Sequence, residues 1–242
     1  MTTALITGAS GGLGLALAQT LAQRHWHLVL DARGGDRLRS VAATLRSQTT
    51  VDAVPGSVTD PAHREALAAA VGRAGGLDLM VHNASDLGGS PQPALKDLDT
   101  ATFDRILATN VVAPLQLTRL VLPALGAAGG TVLAISSDAA AEHYEGWGGY
   151  GASKAALDHL VGTFAAEVPS VRWYAVDPGD MRTQMHQDAF PGEDISDRPL
   201  PETVVPSLLR LLETRPPSGR YRAADIGSAP DTAASTKLEV PA

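Results

Sequence analysis

The feature that most constrains this chain is an alternation of short apolar runs with longer stretches of helical periodicity. Thr3–Thr7 is an apolar run that meets a glycine cluster, and Leu13–Arg24 then reads as a helix. Trp26–Leu30, Val51–Val54, Leu77–Val81, Thr131–Ile135 and Val171–Val176 read as further strands. Between them lie helical stretches around Asp36–Ser47, after Thr59-Asp60-Pro61, over Asp99–Leu125 and over Tyr150–Glu167, with a short helix at Glu202–Leu212. Pro61 stands where a first helical position accepts proline, because that N–H has no intrahelical partner. The strands are apolar on both faces, as in a parallel sheet buried between helices. The expected fold is therefore α/β: a doubly wound, mostly parallel, Rossmann-type sheet with helices on both faces. The length of 242 residues suits a single domain over 1–242, with no solenoid repeat. Such sheets bind ligands beyond the carboxyl ends of their strands, so functional residues are sought there.

Composition removes several classes of function. The net charge of −7 disfavours a nucleic-acid partner, which needs a basic face. With no cysteine, disulfides and cysteine-ligated metals are excluded. The seven histidines are scattered, and no metal site is expected. The opening MTTALITGAS has neither a basic n-region nor an apolar export segment, and no run is expected to reach the roughly 18 apolar residues of a membrane span. The expectation is a cytoplasmic protein with no membrane partner.

Two motifs carry chemistry. Thr7-Gly8-Ala9-Ser10-Gly11-Gly12-Leu13-Gly14 sits at the first strand–helix junction. Glycines there permit positive φ and close backbone approach, and open N–H groups at the helix start attract a pyrophosphate. The second is Tyr150-Gly-Ala-Ser-Lys154, whose phenol and ammonium lie four residues apart on one helical face. A free phenol titrates near 10, too high for proton transfer at neutral pH; a nearby cation would lower it. Ser137, at the end of the fifth strand, would place a hydroxyl beside that phenol to hold a substrate oxygen.

The T-G-x-x-x-G-x-G spacing of Thr7, Gly8, Gly12 and Gly14, with Ser137, Tyr150 and Lys154, resembles the short-chain dehydrogenase/reductase family. Further segments are similar to it. Ile135-Ser136-Ser137 matches its strand-five ending, His82-Asn83-Ala84-Ser85 its N-N-A-G turn, Asn110 its mid-helix asparagine, and Pro178-Gly179 with Thr183 its P-G-x-x-x-T segment. The resemblance implies hydride transfer between a nicotinamide cofactor and a small-molecule carbonyl or secondary alcohol. By it, Tyr150 is the general acid/base, Lys154 binds the nicotinamide ribose and assists Tyr150, Ser137 positions the substrate, and Asn110 helps hold a relay water. The same resemblance assigns cofactor contacts to Gly8, Ser10, Gly11, Gly12, Leu13, Gly14, Arg33, Ser57, Val58, Asn83, Ala84, Ser85, Tyr150, Lys154, Pro178, Gly179, Met181 and Thr183. Three departures stand out. His82 replaces an asparagine and Ser85 a glycine, Ser57 stands where an aspartate often touches adenine, and the stretch from Ser137 to Tyr150 is unusually polar. The alternative from another class is a dinucleotide sensor or scaffold of the same fold without chemistry; such proteins lose the tyrosine or lysine, and this chain keeps both.

Three finer expectations follow. Tyr144, Trp147 and Met185 are candidates for the substrate pocket, and 178–201 for a lid carrying Met181, Met185 and Phe190, while 227–242 reads as a loose tail. NADP(H) is expected over NAD(H): in Leu30-Asp31-Ala32-Arg33, Ala32 takes the discriminating acidic position, Arg33 would meet a 2′-phosphate, and Asp31, one residue early, should point away from the ribose. Apolar residues over more than one face of the long helices, including Val111, Val112, Leu115, Leu117 and Leu120, imply a homodimer or homotetramer.

Overall fold

The computed structural model describes residues 2–227. Seven strands form one all-parallel sheet: β1 (Thr3–Ile6), β2 (His27–Ala32), β3 (Val51–Pro55), β4 (Leu79–His82), β5 (Thr131–Ile135), β6 (Arg172–Asp177) and β7 (Gly219–Arg222). Their order is β3-β2-β1-β4-β5-β6-β7. Chain direction across the sheet reverses between β1 and β4, which opens the crevice where such sheets bind ligands.

Successive strand residues point to opposite faces, and both faces are covered. Ala4, Ile6, Leu28 and Leu30 pack with Leu17 and Leu21 of α1 (Gly12–Gln23), with α2 (Gly35–Leu45), and with Leu208 of α8 (Val205–Thr214). On the opposite face Leu5 and Val29 pack with Leu67 of α3 (Pro61–Ala74), Leu117 and Val121 of α5 (Ala113–Ala128), and Leu157 of α6 (Gly148–Glu167). Asp60 caps α3 by accepting from Ala62 N at 3.0 Å, with Pro61 at its first turn.

Three features differ from the sequence reading. A seventh strand exists: Gly219–Arg222 carries no apolar run because it is a half-exposed edge strand. The stretch expected as one helix is α4 (Thr100–Leu107), a π turn over Ala108–Val112, and α5, running on without a break. That continuous helix corrects the expectation about spanning length: Thr100–Ala128 is long and apolar enough to cross a membrane by length and composition, with mean hydropathy 1.5. Its apolarity has a local cause, since Leu117, Val121 and Leu125 enter the core on one face. The segment 178–201 is also less irregular than expected. It contains α7 (Gln184–Ala189), capped by Thr183 Oγ1 accepting from His186 N at 3.2 Å. Of the expected loose tail, residues 228–242 lie outside the described residues.

Candidate active site

The glycine turn is shaped by backbone demand. Gly8 and Gly12 take φ of +67° and +54°, which only glycine adopts without strain. Gly14 has a different role. A Cβ there would lie 2.5 Å from Asn83 Nδ2 and 2.6 Å from Gly8 O, so Gly14 serves close packing and does not line the cleft. Thr7 Oγ1 accepts from Asn83 N and Ala84 N, and Asn83 Nδ2 donates to Thr7 O and Gly8 O, tying the turn after β4 to the glycine turn. No side chain caps the start of α1, whose first N–H groups lack intrahelical partners, and Gly11, Gly12 and Leu13 there line the crevice.

This crevice is a cleft of about 890 Å³. Its walls include Gly8, Ser10, Gly11, Gly12 and Leu13 from the glycine turn, with Arg33, Ser57 and Val58 at one end. Asn83, Ala84 and Ser85 line it in the middle. Ser137, Trp147, Tyr150, Lys154, Pro178, Gly179, Met181, Thr183 and Met185 line the other end. Asn110 and Tyr144 do not line it. Tyr144 is exposed, and its hydroxyl donates to Asp138 Oδ2 at 3.0 Å. Asn110, buried in the π turn, spends its side chain on the fold: Nδ2 donates to Asp86 O and Ser153 Oγ, both at 2.9 Å, and Oδ1 accepts from Asp86 N at 2.7 Å. It pins the turn containing Ser85 against α6. The π turn itself is the kind of local widening that recurs at functional sites.

Tyr150 and Lys154 project from the start of α6 into the catalytic end, both buried. Lys154 Nζ lies 5.4 Å from the phenol ring centroid and donates to Ile135 O at 2.7 Å. Burial pulls the Lys154 pKa down to about 8, with Asp158 acting to keep the ammonium charged. The phenol pKa is raised: burial is the main cause, the Asp138 and Asp177 carboxylates add to it, and the Ser85 and Ser137 hydroxyls oppose it. The chain's own residues therefore hold Tyr150 protonated, chiefly by desolvation. Ser137 Oγ donates to Asp138 Oδ1 at 2.9 Å and accepts from Ala139 N at 3.2 Å. His82, behind Lys154, is kept neutral by burial first and the lysine charge second, with its pKa near 3, and its Nε2 pairs with Thr118 Oγ1 at 2.8 Å.

At the opposite end, Asp31 lines the cleft but is nearly sealed off. Its Oδ1 lies 2.6 Å from His63 Nε2, and its Oδ2 accepts from Gly8 N at 3.4 Å. The side chains are 2% and 7% exposed. Burial raises the Asp31 pKa, opposed by His63. Gly56 makes room for the histidine: a Cβ there would lie 2.2 Å from His63 Nδ1. Arg33 and Arg37 stand exposed at the mouth, and the Arg37 guanidinium approaches within 2.9 Å of where a Gly11 Cβ would be. Sequence reasoning missed Arg37, His63 and Asp138. Arg37 lies in the first turn of α2, four residues beyond Arg33, and Asp138 directly follows Ser137; nothing local marks His63.

The 178–201 segment closes on itself, with Arg182 N donating to Pro199 O at 2.8 Å and Arg182 Nη2 donating to Ser196 O. Phe190 packs on Trp147 at 5.8 Å and on His186 at 4.9 Å between centroids, and Trp147 meets the Tyr150 ring edge-on at 5.8 Å. Among the described residues, no cluster of three or more His, Asp or Glu side chains is placed to hold a metal ion.

Residues 2–194 match the family model described as short chain dehydrogenase. The chain is 35% identical to the bovine protein "Dehydrogenase/reductase SDR family member 4" over 187 residues, 74% of this chain and 66% of that protein, so it spans just under two thirds of that relative. Among solved structures, an alcohol dehydrogenase from the archaeon Thermococcus sibiricus, complexed with 5-hydroxy-NADP, superposes with a TM-score of 0.82 at 29% identity, covering 92% of this chain and 95% of that one. A short chain dehydrogenase from Shigella flexneri superposes with a TM-score of 0.84 at 27% identity, covering 95% and 92%.

Proposed function

Because the chain belongs to the short-chain dehydrogenase family, a family of dehydrogenases and reductases, we propose that it reduces a carbonyl, or oxidises the matching alcohol, with NADP(H) preferred over NAD(H) and Tyr150 as the proton donor or acceptor. The observation that carries this reading is convergence. Ser137, Tyr150 and Lys154 share the walls of the one cleft that the glycine turn and Arg33 also line.

The residues fit a dinucleotide. Open N–H groups at the start of α1 suit a pyrophosphate, and the positive-φ glycines let it come close. The bound nicotinamide would supply or accept the hydride. Tyr150, held protonated by its burial, donates to the oxygen that gains charge during reduction. Lys154 keeps a cation behind the phenol, so the phenolate left by that transfer is stabilised. Ser137 exchanges its bond to Asp138 for one to the substrate oxygen, and Asp138 remains to receive the hydroxyl afterwards. Asn110 acts through the Ser85 turn rather than by contact with the cleft.

Preference for NADP(H) is supported by charge at the adenosine end. Asp31 is consumed by His63 and the Gly8 N–H, which leaves Arg33 and Arg37 at the mouth to meet a 2′-phosphate. The 5-hydroxy-NADP of the Thermococcus structure fits the same reading. We further read the exposed Val112 and Leu120 as part of a contact between copies of this chain, in a dimer or tetramer. The functional test is a panel of ketones, aldehydes and alcohols with each cofactor, followed by nicotinamide absorbance. Turnover with NADPH and a carbonyl supports the reading; no turnover with either cofactor across the panel counts against it.

A further inference from the structure

Arg220 lies on β7, beyond the family-matched residues, and does not line the cleft. Its guanidinium nevertheless reaches three elements that carry the site. Nε lies 2.9 Å from Asp158 Oδ2, Nη2 donates to Ser137 O at 2.8 Å, and Nη2 lies 3.9 Å from Asp177 Oδ2. Asp158 is one helical turn beyond Lys154 on α6. Asp177 ends β6, just before Pro178-Gly179. An exposed ion pair would be worth little, but Asp158 and Asp177 are 14% and 4% exposed, and the arginine itself is one third exposed. A fork of donors in one plane suits several acceptors at once, which an ammonium cannot do with the same geometry.

We propose that Arg220 is a positioning residue: it fixes the Ser137 end of β5 and holds the Asp158 carboxylate beneath Lys154, so that hydroxyl, phenol and ammonium keep their relative placement. This rests on Ser137, Tyr150 and Lys154 being the catalytic group.

The electrostatics agree with the geometry. The groups facing Lys154 are Tyr150 and Asp158 on its own helix, the neutral His82 from β4 and the Ile135 carbonyl from β5, with Asp177 and Arg220 behind them. Asp158 opposes the burial that would strip the lysine's proton. Burial also drives Asp158 itself toward protonation, and the Ser136 hydroxyl, Arg220 and Lys154 resist it. Arg220 thus keeps ionised the carboxylate that keeps Lys154 charged.

Two measurements on the full chain test this. In the first, Arg220→Met and Arg220→Lys are assayed with NADPH and the carbonyl of the panel that the wild type reduces fastest. Arg220→Met should lose at least about tenfold in kcat, with KM for NADPH within about twofold, and Arg220→Lys should recover part of the loss. Arg220→Met combined with Asp158→Asn should be little worse than the poorer single variant, because coupled residues do not lose additively. In the second, lysine-labelled protein is titrated by NMR, where the chain's only lysines are Lys96, Lys154 and Lys237. The Lys154 midpoint, near 8 in the wild type, should fall by about half a pH unit or more in Asp158→Asn. Wild-type kcat in Arg220→Met, or an unmoved Lys154 midpoint in Asp158→Asn, overturns the proposal. If Tyr150→Phe is inactive while Arg220→Met is normal, only this inference falls. Full turnover in Tyr150→Phe removes the catalytic reading on which it rests.

Discussion

Cofactor choice turns on a few groups at the adenosine end, and their energies can be worked through. A charge-assisted contact from arginine to phosphate is worth about 1.5–3 kcal/mol. Arg33 and Arg37 are both exposed, so solvent screening reduces each to about 1–2 kcal/mol. Arg33→Ala and Arg37→Ala should therefore each weaken NADPH about 5- to 30-fold, and the double variant by about 10²-fold, since 1.4 kcal/mol is tenfold. NADH lacks the 2′-phosphate and should change by no more than about twofold. Asp31 should not interfere, because its two oxygens already face His63 Nε2 and Gly8 N. The assay is nicotinamide fluorescence for Kd, with kcat/KM for both cofactors as the second readout. A wild type that prefers NADH, or variants in which both cofactors weaken equally, would refute the reasoning.

Three further outcomes are expected. His63→Ala strands a buried carboxylate without its partner and should cost about 3 kcal/mol in urea unfolding; a loss under about 1 kcal/mol would show that the pair matters little to the fold. Limited proteolysis should cut 178–201 readily in the free protein and more slowly with cofactor and substrate, because α7 and Met181 wall the cleft; equal rates with and without ligand contradict a lid. Light scattering at micromolar concentration should return twice or four times the 25.0 kDa chain mass, whereas a monomer contradicts a contact through Val112 and Leu120.

Much of the fold is written in local pattern, and the misses have physical causes. The five inner strands are apolar runs buried on both faces, and β3, at the other edge, still carries Val51, Ala53 and Val54. β7 alternates glycine, arginine and tyrosine at a half-exposed edge, and its pairing with β6 is set by tertiary contact alone. The π turn at Ala108–Val112 interrupts no helical periodicity, so the sequence pattern there reads as one continuous helix. In the cleft, the glycine turn and the Tyr150–Lys154 pair are visible because their spacing is short. The partners that tune them are distant in sequence: His63 meets Asp31 across 32 residues, and Arg220 meets Ser137 across 83. Asn110 shows the opposite case. Its place in the chain was evident, yet only the structure shows its amide committed to Asp86 and Ser153.

The central claim is that Tyr150 moves the proton in a nicotinamide-dependent carbonyl reduction. Tyr150→Phe keeps the ring that Trp147 meets edge-on and deletes only the hydroxyl. Single-turnover reduction with NADPH, monitored by loss of nicotinamide absorbance, measures that step directly. General acid catalysis contributes about 10²- to 10⁴-fold, so the variant should lose at least about 10²-fold in rate while its Kd for NADPH stays within about threefold of the wild type. A variant that binds NADPH normally and turns over at the wild-type rate would contradict the account.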